Sequence, residues 1–222
     1  MSTNQETNVA ASFFNIHDII TRALRVSLES ARGILLHGFQ LELTREGFFN
    51  YIRCLSTVMN AHHLTEDNIA FPYFRDKLPD VAFDDWTYWH GKMDEILDEI
   101  NLAVKKSDEK DELETELKEI ENALARLNDW WPDHIGPEKD EFISKADALI
   151  PVEEQLRLVR LFAEYLLKHT EPLNLTIPFM LYNLSAEERA IFAKGIPAEV
   201  TGHLVPVVWK EQWASMAPFL LE

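Results

Sequence analysis

Apolar side chains recur along this chain in alternating steps of three and four residues. The first run is Phe13, Ile20, Leu24, Leu28, Ala31 and Leu35, with His17 in step. That spacing returns to one face of a helix every turn or so and predicts a long amphipathic helix. A second stripe reads Phe48, Ile52, Leu55, Met59, His62, Glu66 and Ile69, with Thr44 placed to cap its start. Pro79 and Asp80 predict a turn, after which Phe83, Trp86, His90, Met93, Leu97, Ile100 and Val104 form a third stripe. The charged run from Lys105 to Asp111 interrupts the pattern. A fourth stripe then follows through Leu113, Leu117, Ile120, Leu124, Leu127, Trp131, His134 and Glu138. In all four stripes the polar residues on the apolar face are histidine or glutamate.

Short connections between such helices favour antiparallel neighbours, so the pattern predicts an all-α, up-down-up-down four-helix bundle. In that topology the histidines fall at one common end. Counted from the turns, the levels of His17 with His62 and of His63 with His90 agree to within a few Å, whereas His90 and His134 differ by about 9 Å. Residues 1–11 are polar and expected as a tail, residues 12–150 as the bundle and residues 151–222 as a C-terminal helical extension packed on it. Pro172, Pro178, Pro197 and Pro206 divide the extension into short pieces. Ser185 and Glu188 form a capping-box pattern within it, and the apolar stretch Leu204, Val205, Val207, Val208 and Trp209 is expected to pack on the bundle. A lid, a protein-partner surface or a homodimer interface are the roles open to this extension.

Composition narrows the function. At 222 residues the chain can bury a full core without a metal or disulfide to hold it, so a metal would serve chemistry. The formal net charge of -17 argues against nucleic acid and against an anionic membrane surface, since both recruit cationic side chains. No apolar run reaches the roughly 18 residues of a membrane span, and the start of the chain lacks a signal-peptide pattern. The single cysteine, Cys54, cannot form an internal disulfide; a cytoplasmic location is expected.

The candidate chemistry lies in the polar members of the stripes. His62 with Glu66 and His134 with Glu138 are four residues apart, so each pair presents an imidazole and a carboxylate on one helical face. Helix bundles build dinuclear sites from such inward pairs. His63, about 100° around the helix from His62, can serve a second ion. Imidazole and carboxylate without thiolate suit iron, manganese or zinc. A lone histidine on an apolar face is more often a satisfied core residue, but five gathered at one level with two glutamates would carry a heavy desolvation cost without a cation. His37, His169 and His203 lack that company and are read as surface or capping residues. Trp86 and Trp131 are expected to flank the site chiefly as core filling, and Trp89 and Trp130 to face neighbouring helices or the extension.

On His17, the His62-His63-x-x-Glu66 segment, His90 and His134-x-x-x-Glu138, the sequence resembles the hemerythrin-like, or His-His-Glu cation-binding, family over roughly residues 12–145. The resemblance implies two iron ions: His17 and His62 on one, His63, His90 and His134 on the other, with Glu66 and Glu138 bridging. It also implies a small gaseous or peroxide ligand, bound reversibly in oxygen or iron sensing, storage or stress protection. A di-iron oxidase or peroxidase and a bundle merely stabilised by its metal are the other classes open. Pro137 departs from the family pattern, because proline within a helix costs about 3 kcal/mol and removes a donor. A helix restarting after Pro137 would make Glu141 the bridging carboxylate in place of Glu138.

Overall fold

The structure, a computed structural model, describes residues 8–39, 42–109 and 113–221. Those residues are helical wherever they are regular, with no strand among them. Helix α1 (Val9–His37), α2 (Glu42–Thr65), α4 (Phe83–Ser107) and α5 (Glu114–Pro137) pack as a bundle in which α1 and α4 each contact both α2 and α5. The short α3 (Phe71–Phe74) continues the α2 trace, and α6 (Ser144–Leu149) continues that of α5. The expected stripes are the faces that become buried: Ile20, Leu24, Ile52, Leu55, Met59, Leu97, Ile100, Ile120, Leu124 and Leu127 are almost wholly inaccessible.

The starts of the first two helices differ from expectation. Residues 8–11 are not tail: Asn8 accepts a hydrogen bond from the Ala11 amide through Oδ1 and caps α1, and Val9 and Ala10 are buried. Residues 1–7 lie outside the described residues. Helix α2 begins at Glu42, so Thr44 stands inside its first turn rather than at its cap. The expected mismatch between His90 and His134 is also absent, their rings lying 4.9 Å apart. The pairs Glu99–Arg126 and Lys106–Glu119 centre the connection between positions 112 and 113, later than the turn near position 109 expected from the charged run, and that shift restores the level.

Residues 151–221 form α7 (Val152–Lys168), α8 (Leu173–Tyr182), α9 (Ala186–Phe192), α10 (Lys210–Trp213), and intervening 3-10 and π turns. Ser185 and Glu188 make the reciprocal capping box at the start of α9. Helix α7 lies against α1 and α2, while α8 and the 3-10 turn Ala214–Phe219 lie against α2. A polar knot fastens them: Arg22 of α1 donates to Asn183 and to the Phe219 carbonyl at 2.9 Å, and the Tyr51 hydroxyl donates to Asn183 at 2.6 Å. Gly47 permits the closest approach, because a Cβ there would overlap the Ser215 carbonyl. The apolar stretch near residue 205 packs only in part: Val205 is buried, but Val207 and Val208 are 62% and 49% exposed. No helix among the described residues is long and apolar enough to cross a membrane.

The core divides into two clusters. The larger runs through the bundle and into the extension, and the smaller gathers Phe13, Phe71, Phe74, Phe83, Trp86, Phe142 and Phe162 at one end. The histidines lie between them, where Trp131 of the first cluster meets His17 and Phe71 of the second stacks on His90.

Candidate metal centre

Four helices and two π turns deliver the site. Helix α1 supplies His17, α2 supplies His62 and His63, α4 supplies His90 and α5 supplies His134. Glu66 opens the π turn Glu66–Ala70 and Glu138 opens the π turn Glu138–Ile143. Each turn has a proline close by, Pro72 after the first and Pro137 before the second. Proline gives no N–H to the carbonyl four residues back, so the α ladder is already interrupted there, and the wider register accommodates the gap without ending the helix. The expected break after Pro137 therefore does not occur. Pro137 keeps helical angles of φ -57 and ψ -41, Glu138 is fully buried, and Glu141 is exposed.

All seven sequence-predicted residues converge. His17 Nε2 stands 3.1 Å from His62 Nε2, and His62 Nε2 stands 3.4 Å from Glu66 Oε2. His90 Nε2 faces Glu66 Oε2 at 3.3 Å and Glu138 Oε1 at 3.6 Å, while His134 Nε2 lies 3.4 Å from Glu138 Oε1. The candidate ligand atoms fall into overlapping groups whose members all lie within 4.8 Å of one another: His63, His90 and His134; His17, His62, Glu66 and Glu138; and Glu66, His90, His134 and Glu138. Both glutamates thus belong to a histidine group on either side.

Apart from the 3.1 Å contact of His17 with His62, these spacings are too long for good hydrogen bonds, and all of them suit neighbouring donors around a shared cation about 2.1 Å from each. His63 Nε2, His90 Nε2, both nitrogens of His134 and all four oxygens of Glu66 and Glu138 are buried with no hydrogen-bond partner. Buried polar groups are satisfied in the great majority of folded proteins. A cluster of unsatisfied donors and acceptors that converges in this way fits a metal, and no thiolate takes part.

Electrostatics point the same way. Burial, followed by the charge on His90, lowers the His17 pKa to about 3, and burial holds His62, His63 and His134 well below the ordinary imidazole value. Those rings are neutral and ready to ligate. Burial and the neighbouring Glu138 raise Glu66 to about 8, and burial raises Glu138 as well. His90 behaves differently: burial opposes its charge, but the Asp67 hydrogen bond and the facing Glu138 and Glu66 carboxylates hold it well above the usual range.

Two residues outside the expected set orient the rings of His63 and His90. His63 Nδ1 lies 2.8 Å from Asp94 Oδ1, and His90 Nδ1 lies 2.9 Å from Asp67 Oδ1, which leaves each Nε2 turned inward. Their signal in the sequence was proximity, since Asp67 follows Glu66 and Asp94 stands one turn after His90. Around the site, Trp131 packs edge-on to His17, donates from Nε1 to Thr21 at 2.8 Å and lies 5.6 Å from the His134 ring. Trp86 sits in the aromatic cluster beyond Phe71. Trp89 and Trp130 pack on each other across α4 and α5 but remain 45% and 36% exposed, so neither is covered by the extension as an interior residue would be. Cys54 is buried against Met216, and burial raises its thiol pKa to about 12. His37 and His203 are exposed, and His169 ends α7.

A helical bundle with a buried, unsatisfied cluster of histidines and carboxylates defines a cation-binding protein. A family model agrees: the hemerythrin HHE cation binding domain matches residues 11–146, and the chain belongs to that family. No curated protein and no solved structure matches it.

Proposed function

We propose that the chain holds two iron ions and binds a small uncharged ligand, dioxygen or nitric oxide, reversibly, or reacts with peroxide, in sensing, storage or stress protection. The observation that carries this reading is the convergence of unsatisfied buried nitrogens and oxygens from His63, His90, His134, Glu66 and Glu138. His17 and His62 would hold one ion, His63, His90 and His134 the other, and Glu66 and Glu138 both. Iron bound there would supply a coordination position and a change of oxidation state. The two-histidine side has one protein donor fewer, which favours ligand entry there. Histidine-rich ligation also favours reversible binding over the carboxylate-rich sets of oxygen-activating bundles.

The protein's own residues do the rest. Asp67 and Asp94 fix the rings of His90 and His63, and Phe71 and Trp131 exclude water from the two flanks. The proposal takes the four long helices as an up-down-up-down bundle. It is supported by pairs that step in opposite directions, Thr21–Trp131 then Arg32–Glu121 between α1 and α5, and His63–His90 then Arg53–Asp108 between α2 and the end of α4.

Metal analysis of the full chain purified without chelator, followed by absorption spectra with dioxygen, nitric oxide and azide, tests the proposal. Two irons per chain and a reversible spectral change are expected. Zinc alone, or iron whose spectrum ignores every ligand, would sink it, and rapid peroxide turnover would move the protein into the enzyme class.

A further inference from the structure

The extension builds a chamber against the metal centre. A partly enclosed cavity of about 80 Å³ lies between the bundle and residues 159–196. Phe13 and Ile16 of α1 and His62 of α2 form its bundle side, and Phe162, Met180 and Ile196 belong to its other side. That second wall falls outside the segment that the cation-binding family accounts for, which ends at residue 146.

The lining sets the chemistry of an occupant. None of the described lining residues is Asp, Glu, Lys or Arg. Its polar members are Ser12, Asn15, Thr65 and His62, and the Thr65 hydroxyl is already spent on the Ala61 carbonyl. An ion entering such a space would lose several kcal/mol of hydration with no counter-charge to meet it. Size sets a second limit, because the volume is well below the roughly 150 Å³ of an apolar cavity that accepts benzene. Position sets the third. His62 is both a wall of the cavity and a member of the two-histidine group, with its Nε2 3.1 Å from that of His17.

We propose that this cavity is a docking and entry chamber for a small uncharged diatomic molecule, walled on one side by the C-terminal extension and opening beside His62. The inference rests on the proposed binding function for its biological meaning, but the chamber can be tested without it. The extension thereby becomes part of the ligand route, and α7 controls how much of the chamber is free.

Xenon, an uncharged apolar probe, and nitric oxide decide the matter. Crystals of the metal-loaded full chain pressurised with xenon should show a xenon site among Phe162, Met180 and Ile196. The site should vanish in Ala163→Leu, whose larger side chain fills the chamber from α7. In solution, iron-loaded Ala163→Leu should bind nitric oxide about tenfold more slowly than the parent at equal iron content, the effect of a barrier raised by about 1.4 kcal/mol. Ala163→Ser, which leaves the volume almost unchanged, should keep the parental rate and guards against a folding defect in the leucine variant. Xenon absent from the chamber overturns the proposal, as does an unchanged nitric oxide rate in Ala163→Leu. If the parent binds no nitric oxide while xenon occupies the chamber, the binding function fails and the chamber stands.

Discussion

Asp67 Oδ1 stands 2.9 Å from His90 Nδ1 and also accepts the Thr87 hydroxyl at 2.6 Å, so one carboxylate fixes the ring whose other nitrogen faces both buried glutamates. Asp67 follows Glu66 directly in the π turn. Two adjacent residues therefore approach the same imidazole from its two sides, one at each nitrogen.

Asp67→Asn should weaken metal binding without removing a ligand. Its amide would still reach the ring, but the charge that makes His90 a better donor would be gone, and loss of such partners commonly costs about 10–100-fold in affinity. Competition for iron or zinc against a chromogenic chelator measures this. Asp84→Asn, at an exposed residue paired with Arg75, should match the parent. Equal affinity in all three proteins would show that Asp67 does not tune the site.

Gly47→Ala should loosen the extension. The added Cβ would meet the Ser215 carbonyl, a backbone atom that cannot rotate away, and overpacking of this kind costs about 1–3 kcal/mol. Gly91→Ala in α4 meets nothing within 4 Å and should stabilise the helix by about 0.5–1 kcal/mol. Thermal melts of the two variants should shift in opposite directions. A parental melt for Gly47→Ala would mean that the contact with the 3-10 turn contributes little.

Proton release should accompany metal loading. In the metal-free protein Glu66, raised to about 8 by burial and by Glu138, holds a proton at pH 7, and against the effect of burial His90 is held charged by Asp67 and Glu138. A cation must displace both protons. His17, lowered to about 3 by burial, has none to lose. Affinity should therefore rise with pH through neutrality, the Glu66 contribution levelling off above about pH 8, where its carboxyl is ionised, and the His90 contribution continuing for as long as its ring stays protonated. Calorimetric titration in buffers of different ionisation enthalpy counts the protons, and no release at pH 7 would contradict these charge states.

Much of this arrangement was legible in the sequence because burial leaves a period. Phe48, Ile52, Leu55 and Met59 lead at helical steps to His62 and Glu66, so the residues that converge on the site announce themselves as polar residues on an apolar stripe. Asp67 and Asp94 were not legible by that rule, because they lie off the stripe, partly exposed, and are defined by a ring across the site. The π turns were hidden for another reason. Sequence patterns assume 3.6 residues per turn, and a single wide turn beside Pro137 looks the same as a break until the path of the backbone is known. The chamber beside His62 depends on the placement of α7, α8 and the segment near Ile196, whose long-range packing has no local signature.

The carboxylate after Pro137 gives the sharpest contrast between neighbours. Glu138 is fully buried, 3.4 Å from His134 Nε2 and 3.5 Å from His17 Nε2, whereas Glu141 points outward in the same π turn. Glu138→Gln would put one neutral carbonyl and an NH₂ group where two anionic oxygens face both histidine groups, and an NH₂ cannot ligate a cation. Iron content per chain should fall, or the absorption of the loaded protein should shift, and Glu141→Gln should change neither. Because an uncharged amide relieves the crowding of two buried carboxylates, the metal-free Glu138→Gln variant should be at least as stable as the metal-free parent, which separates loss of metal from loss of fold. Damage from Glu141→Gln instead would mean that the helix takes a different phase after Pro137. Parental iron content and spectrum in both variants would remove Glu138 from the metal centre and leave α5 and the π turn that follows it contributing through His134 alone.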